Sequence, residues 1–165
     1  MADNPTFKEY GVQVIQERLN KMLSYTRAVR RADDIEALHD MRVASRRLRA
    51  AINVFEPAFP GEGYRSFEQE VKAVTDALGE ARDLDVMLDT LVQLEKTVPI
   101  NQRGGLESFA HIKAIKRRSC QKDVIKAFEK LERYDMVEWF KRLSAEETLD
   151  MESDPDRTAS VKENN

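Results

Sequence analysis

A chain of 165 residues suits one domain and is long enough to bury a proper core. Charged residues make up 35% and aromatics only 7%, a balance that points to a helical bundle and away from a sheet protein. The single cysteine, Cys120, excludes an internal disulfide and cannot anchor a metal cluster, so a buried thiol is expected there. The start of the chain has no apolar leader and no apolar run approaches membrane-spanning length, which sets the expectation of a soluble cytoplasmic protein. The net charge of −3 argues against an anion binder until it is divided along the chain. Residues 146–165 hold seven acids against Arg157 and Lys162, a charge of −5, which leaves +2 on residues 1–145. Local clustering therefore matters more than bulk charge.

Thr6-Phe-Lys-Glu9 reads as a capping box opening a first helix over residues 7–31. Val12, Ile15, Leu19, Met22, Thr26 and Val29 recur at three and four residues, the spacing of a bundle seam. Arg27, Arg30 and Arg31 crowd its end. They complement the helix dipole or contribute to an anion site, Arg30 lying nearest the seam.

Asp33-Asp-Ile-Glu36 caps a second helix over residues 34–56, so the first two helices form a tight antiparallel hairpin. At about 100° per residue, Arg42, Arg46 and Arg49 fall within roughly 80° of His39, with Arg47 flanking them. Met41, Ala44, Leu48, Ala51, Ile52 and Phe55 gather on the other side as a packing face. A solvated face mixes signs so that neighbouring charges offset each other, but no acid interrupts this stripe after Asp40. Arginine's planar fork suits phosphate and carboxylate, so the stripe points to an anionic partner.

Pro57-Ala-Phe-Pro60-Gly61-Glu-Gly63 breaks the chain. A third helix is expected from a cap at Ser66 to about Thr97, irregular at Gly79, where glycine permits close approach of a helix or ligand. Asp85 sits in the middle of its apolar stripe, seven residues from Leu78 and from Val92. A carboxylate there needs a partner, since burying it alone costs several kcal/mol. Either it pins an arginine of the second helix, or it joins Asp83 and Glu80 in a metal site for phosphoanhydride hydrolysis. Asp83 and Asp85 are two residues apart and face different ways, which favours the structural reading.

After a loop at residues 98–105, a fourth helix spans residues 106–132. Lys113 and Arg117 fall on its seam, either snorkelling out or facing an electropositive pocket shared with the second helix. Lys116 and Arg118 point elsewhere and read as solvated. A short fifth helix from Tyr134 to Leu143 can cover the bundle's end with Met136, Trp139, Phe140 and Leu143. The pattern fades near Ala145, which makes residues 146–165 an acidic tail expected to be disordered. The fold class is thus all-α, an antiparallel four-helix bundle with a short fifth helix.

His39-Asp-Met-Arg42-Val-Ala-Ser-Arg46-Arg47-Leu-Arg49-Ala resembles the signature of the CHAD family, the conserved histidine α-helical domain. Leu78-Gly-Glu-Ala-Arg82-Asp-Leu-Asp-Val86 resembles that family's second motif, and Leu131-Glu-Arg-Tyr134 its third segment. The resemblance covers residues 7–145 and implies a helical domain that binds inorganic polyphosphate noncovalently on a basic surface. His39, Arg42, Arg46, Arg47, Arg49, Arg82, Lys113, Arg117 and Arg30 are its candidate ligands, Arg82 on the strength of the second motif alone. No catalytic residue, cofactor or bound metal is implied. Arginines replace the phosphates' water and counterions, and weak contacts add along the polymer.

The resemblance implies a surface made by the two four-helix units that family members usually carry, and this sequence matches one, so a homodimer is expected to supply the second. Residence near polyphosphate granules would follow. The rival readings are a magnesium-dependent phosphoanhydride hydrolase and a nucleic-acid-binding module. The basic helices carry no interleaved aromatics for base stacking, which argues against the latter.

Overall fold

The computed structural model describes residues 5–31 and 35–152, with backbone alone at Ile35 and 146–152. Thr6 caps α1 (Phe7–Leu23) as the sequence predicts. The Glu9 N–H donates to the Thr6 hydroxyl at 3.2 Å, and the Thr6 N–H donates back to the Glu9 carboxylate at 2.7 Å. That return bond holds the Glu9 carboxyl below its ordinary range.

The long first helix expected from the sequence is two helices. At Tyr25 the N–H bonds back only three residues, to Met22 at 3.2 Å, while the Ser24 hydroxyl donates to the Lys21 carbonyl at 2.7 Å. The chain tightens there and restarts as α2 (Thr26–Arg31). The cap expected at Asp33 lies outside the described residues.

Next comes α3 (Ile35–Phe55), ended by a 3-10 turn at Glu56–Ala58 that carries Pro57. The following helix, α4 (Glu62–Glu95), opens at Gly61, ahead of the Ser66 cap that the sequence suggested, and it passes Gly79 unbroken. A turn at Ile100–Gln102 leads into α5 (Gly104–Arg133). Asp135, at φ 39°, then swings the chain into α6 (Met136–Glu152) and accepts the Glu138 N–H at 3.3 Å. Past Ala145, α6 continues to Glu152, and the remainder of the acidic tail lies outside the described residues.

Four long helices pack up and down in the order α1, α3, α4, α5, with α6 laid across α1 and α4. Ile15, Leu19, Met41, Leu48, Ile52, Val71, Leu78, Val124 and Phe128 fill the centre. Rings of Phe59, Tyr64, Phe67 and Phe140 close the α6 end, and the Tyr64 hydroxyl donates to the Ile52 carbonyl at 2.8 Å. Cys120 is buried, and that burial pushes its thiol up.

The four helices differ in length. With a rise of about 1.5 Å per residue, α4 extends roughly 20 Å further than α3. Its last buried residue is Asp85, and the first buried residue of α5 is Cys120. The ends of α4 and α5 therefore project beyond the core as a helical hairpin.

Two glycines behave in opposite ways. A Cβ at Gly11 would meet the Phe55 ring at 2.8 Å, so α1 and α3 approach that closely only because the side chain is absent. At Gly79 a Cβ would meet nothing nearer than Arg42 Nε at 3.9 Å, so no neighbouring helix requires glycine there. Gly11→Ala should lower stability by about 1–3 kcal/mol through overpacking. Gly79→Ala should leave it unchanged or raise it by up to about 1 kcal/mol through helix propensity. Urea denaturation of both variants checks the contrast.

Candidate anion-binding groove

Packing α3 against α4 lays three of its arginines over α4's outer surface. Arg42, Arg46 and Arg49 form one wall of an open groove of about 540 Å3, floored by Thr75, Gly79 and Leu84. Lys113 and Lys116 of α5 form the other wall. Asp76, Glu80 and Asp83 rise between them, so five cations meet three carboxylates and a surplus of two positive charges remains.

The carboxylates hold three of the five cations in place. Lys116 Nζ lies 2.9 Å from Glu80, Arg42 Nη2 lies 4.0 Å from Asp83, and Arg49 Nη1 lies 4.0 Å from Asp76. Asp76 also takes Lys72 at 2.8 Å. Among the described residues, Arg46 makes no ion pair, and it is exposed. Lys113 stands over the Phe109 ring, 4.9 Å from its centroid.

The Lys116 hydrogen bond lowers the Glu80 carboxyl, and the same bond raises the Lys116 ammonium. Glu80's contribution is present above its unfolded pKa and is lost as pH falls through the lowered folded value. That of Lys116 is present below its unfolded pKa and is lost as pH rises through the raised one. Both are fully charged across the neutral range.

Not every candidate ligand reaches this groove. His39 and Arg47 line a separate hollow against α1, with Arg18, Lys21 and Tyr25 as well as Glu17 and Asp40. The stripe read from the sequence straddles the crest of α3, so its two edges face different neighbours. Arg30 pairs with Glu132 at 2.8 Å and lies over the Phe128 ring. Arg82 is half-buried and does not line the groove.

Arg117 is tied down. Its Nε donates to Asp85 at 2.6 Å and its Nη2 to the other carboxylate oxygen at 3.3 Å. Asp85 thus has the partner its burial demands, supplied by α5 and not by an arginine of α3. Nη1 of Arg117 donates to Gln121 at 3.1 Å, and Gln121 donates to the Val29 carbonyl of α2 at 3.0 Å. Lys116, read from the sequence as solvated, is the groove residue that reading missed. Its signal was Glu80 opposite it, visible only once the register of α4 and α5 is known. Among the described residues, no three His, Cys, Asp or Glu side chains gather as metal ligands.

The family model of the CHAD domain matches residues 13–162, nearly the whole sequence. The chain belongs to the CHAD domain family. Two uncharacterised proteins of Mycobacterium tuberculosis resemble this CHAD protein. The one from strain H37Rv is 32% identical over 93 residues, covering 56% of this chain and 18% of the relative. Its counterpart in strain CDC 1551 is 31% identical over the same length and shares. The aligned stretch thus spans under a fifth of the length of these relatives. No solved structure matches the chain. Among the described residues, no helix is long and apolar enough to cross a membrane.

Asp85 and Arg117 are 8% and 17% exposed, so removing one partner strands a charge in a dry place. Asp85→Ala should cost about 3 kcal/mol, the scale of a broken buried pair. Urea unfolding of this variant beside Asp83→Ala, whose carboxylate is exposed, separates the structural acid from its neighbour.

Proposed function

We propose that this CHAD protein binds inorganic polyphosphate noncovalently in the groove between α3, α4 and α5. The observation that carries the reading is the convergence of Arg42, Arg46, Arg49, Lys113 and Lys116 on one open channel with a positive surplus. The family is associated with polyphosphate binding and with non-catalytic roles, which supports the same reading.

In physical terms the exchange is modest at each contact. The exposed ion pairs that hold the groove's cations are worth little individually, so phosphate oxygens can replace carboxylates at small cost. Arg46 is free to engage first. A polymer then gains by occupying several cations at once, each contact raising the effective concentration of the next. His39 and Arg47, in their own hollow, would meet the chain only where it crosses the crest of α3. A soluble protein acting where polyphosphate accumulates, alone or as a homodimer, fits this activity. Nucleic acid shares the phosphates but would gain no stacking from the groove's lining.

Titration with polyphosphate of defined length, RNA and ATP tests the reading. Affinity for polyphosphate should fall linearly against salt on logarithmic axes, and Arg42→Ala with Arg46→Ala should reduce the slope by about 1.5–2. An unchanged slope in the folded double variant overturns the assignment.

Glu80→Gln provides a second measurement. It frees Lys116 and removes one negative charge, so polyphosphate affinity at low salt should rise roughly threefold to tenfold. Orthophosphate release with magnesium or manganese should stay at background in wild type. A hydrolase working through Glu80 would instead show turnover that this variant loses.

A further inference from the structure

The groove between α3, α4 and α5 changes character at its hairpin end. Met87 stands one turn of α4 beyond Asp83, and Phe109 one turn of α5 beyond Lys113, both toward the tip. Glu80 meets Lys116 across these two antiparallel helices. Met87 lies seven residues past Glu80 and Phe109 seven residues before Lys116, so the same register sets Met87 opposite Phe109. These two large apolar side chains are 38% and 44% exposed. Met87 lines the groove itself, over a floor that includes buried Leu84. A thioether and an aromatic ring therefore flank the place where the groove's cations stop.

An inorganic phosphate chain has no use for such a surface. We propose, on the basis of the polyphosphate reading of this groove, that it also takes nucleoside polyphosphates, with the base on Phe109 beside Met87 and the phosphates among Lys113, Lys116 and Arg42. Lys113 couples the two halves. Its ammonium stands over the face of the Phe109 ring, 4.9 Å from the centroid. A phosphate entering the groove offers that ammonium a full negative charge, a stronger partner than the ring. When Lys113 swings to the phosphate, the face it leaves is open to a base. A single sugar covers the one turn, about 6 Å, that separates the two. Every base has a π-face to lay on the ring, and the methionine sulfur packs well at an aromatic edge. Polymeric nucleic acid gains little by comparison, because the platform takes one base and the groove's lining offers its neighbours nothing to stack on.

Inorganic tripolyphosphate is the natural comparison, since it carries the phosphates of ATP without the sugar and base. Calorimetric titration of the full chain with each anion, magnesium absent, reads the difference. ATP should bind roughly tenfold more tightly than tripolyphosphate, the scale of one base stacked on one aromatic side chain. Phe109→Ala should bring that ratio down to about one, and Phe109→Trp should restore it. The adenine ring protons should shift upfield on wild type, through the ring current of Phe109, and stay in place with Phe109→Ala. ATP no tighter than tripolyphosphate on wild type overturns the proposal, and so does a preference that survives Phe109→Ala. If polyphosphate still binds in either case, the groove reading stands and only the base platform is lost. A chain that binds none of the three anions sinks both.

Discussion

The bond between Asp85 and Arg117 fixes how the two long helices lie on each other. Both residues occupy seam positions, where an apolar pair would let α4 and α5 slide by a turn at modest cost. A bidentate contact at 2.6 and 3.3 Å admits one register only. Gln121 extends the network to the Val29 carbonyl and so anchors short α2 to the same point. Everything above this point on α4 and α5 is hairpin, and everything below it is packed core. The groove shares that register, for Lys116 meets Glu80 in the same alignment that lets Arg117 meet Asp85.

Within the groove the charges nearly cancel, and that balance has a use. An uncompensated cluster of five cations would strain the fold through mutual repulsion. Acids at positions 76, 80 and 83, one to each turn of α4, relieve it without closing the channel. Arg42 and Arg49 are each loosely matched to a carboxylate they can leave, and among the described residues Arg46 is matched to none. Binding is then an exchange of partners on a prepared surface, with little reorganisation of the backbone.

Much of the helical architecture was legible, because amphipathic periodicity and the Thr6 capping box are local signals. The break at Ser24–Tyr25 was not, since a hydroxyl and one shortened hydrogen bond leave the apolar spacing almost undisturbed. The site divided along the same line. Arg42, Arg46 and Arg49 read correctly as one face, but spacing on a single helix cannot say which neighbour each edge of a face meets. His39 and Arg47 consequently went to α1. Asp85 announced its need for a partner through its place in the seam. Arg117, in the matching place on its own helix, was the better-placed candidate, and recognising it required pairing the two seams. Lys116 and its acid could be joined only by that interhelical register.

Trp139 is the chain's single tryptophan, and its indole packs edge-on to Phe67 at 5.9 Å between ring centroids and beside Tyr134 at 5.7 Å. From Phe67 to Glu80 is about 20 Å along α4, so the indole senses the aromatic end of the bundle and not the groove. Its emission consequently follows the docking of α6 and the integrity of the core. A polyanion settling among the arginines would leave that emission almost unchanged. The protein carries a built-in optical gauge of folding set apart from the groove, which lets stability be followed by fluorescence while the groove is occupied.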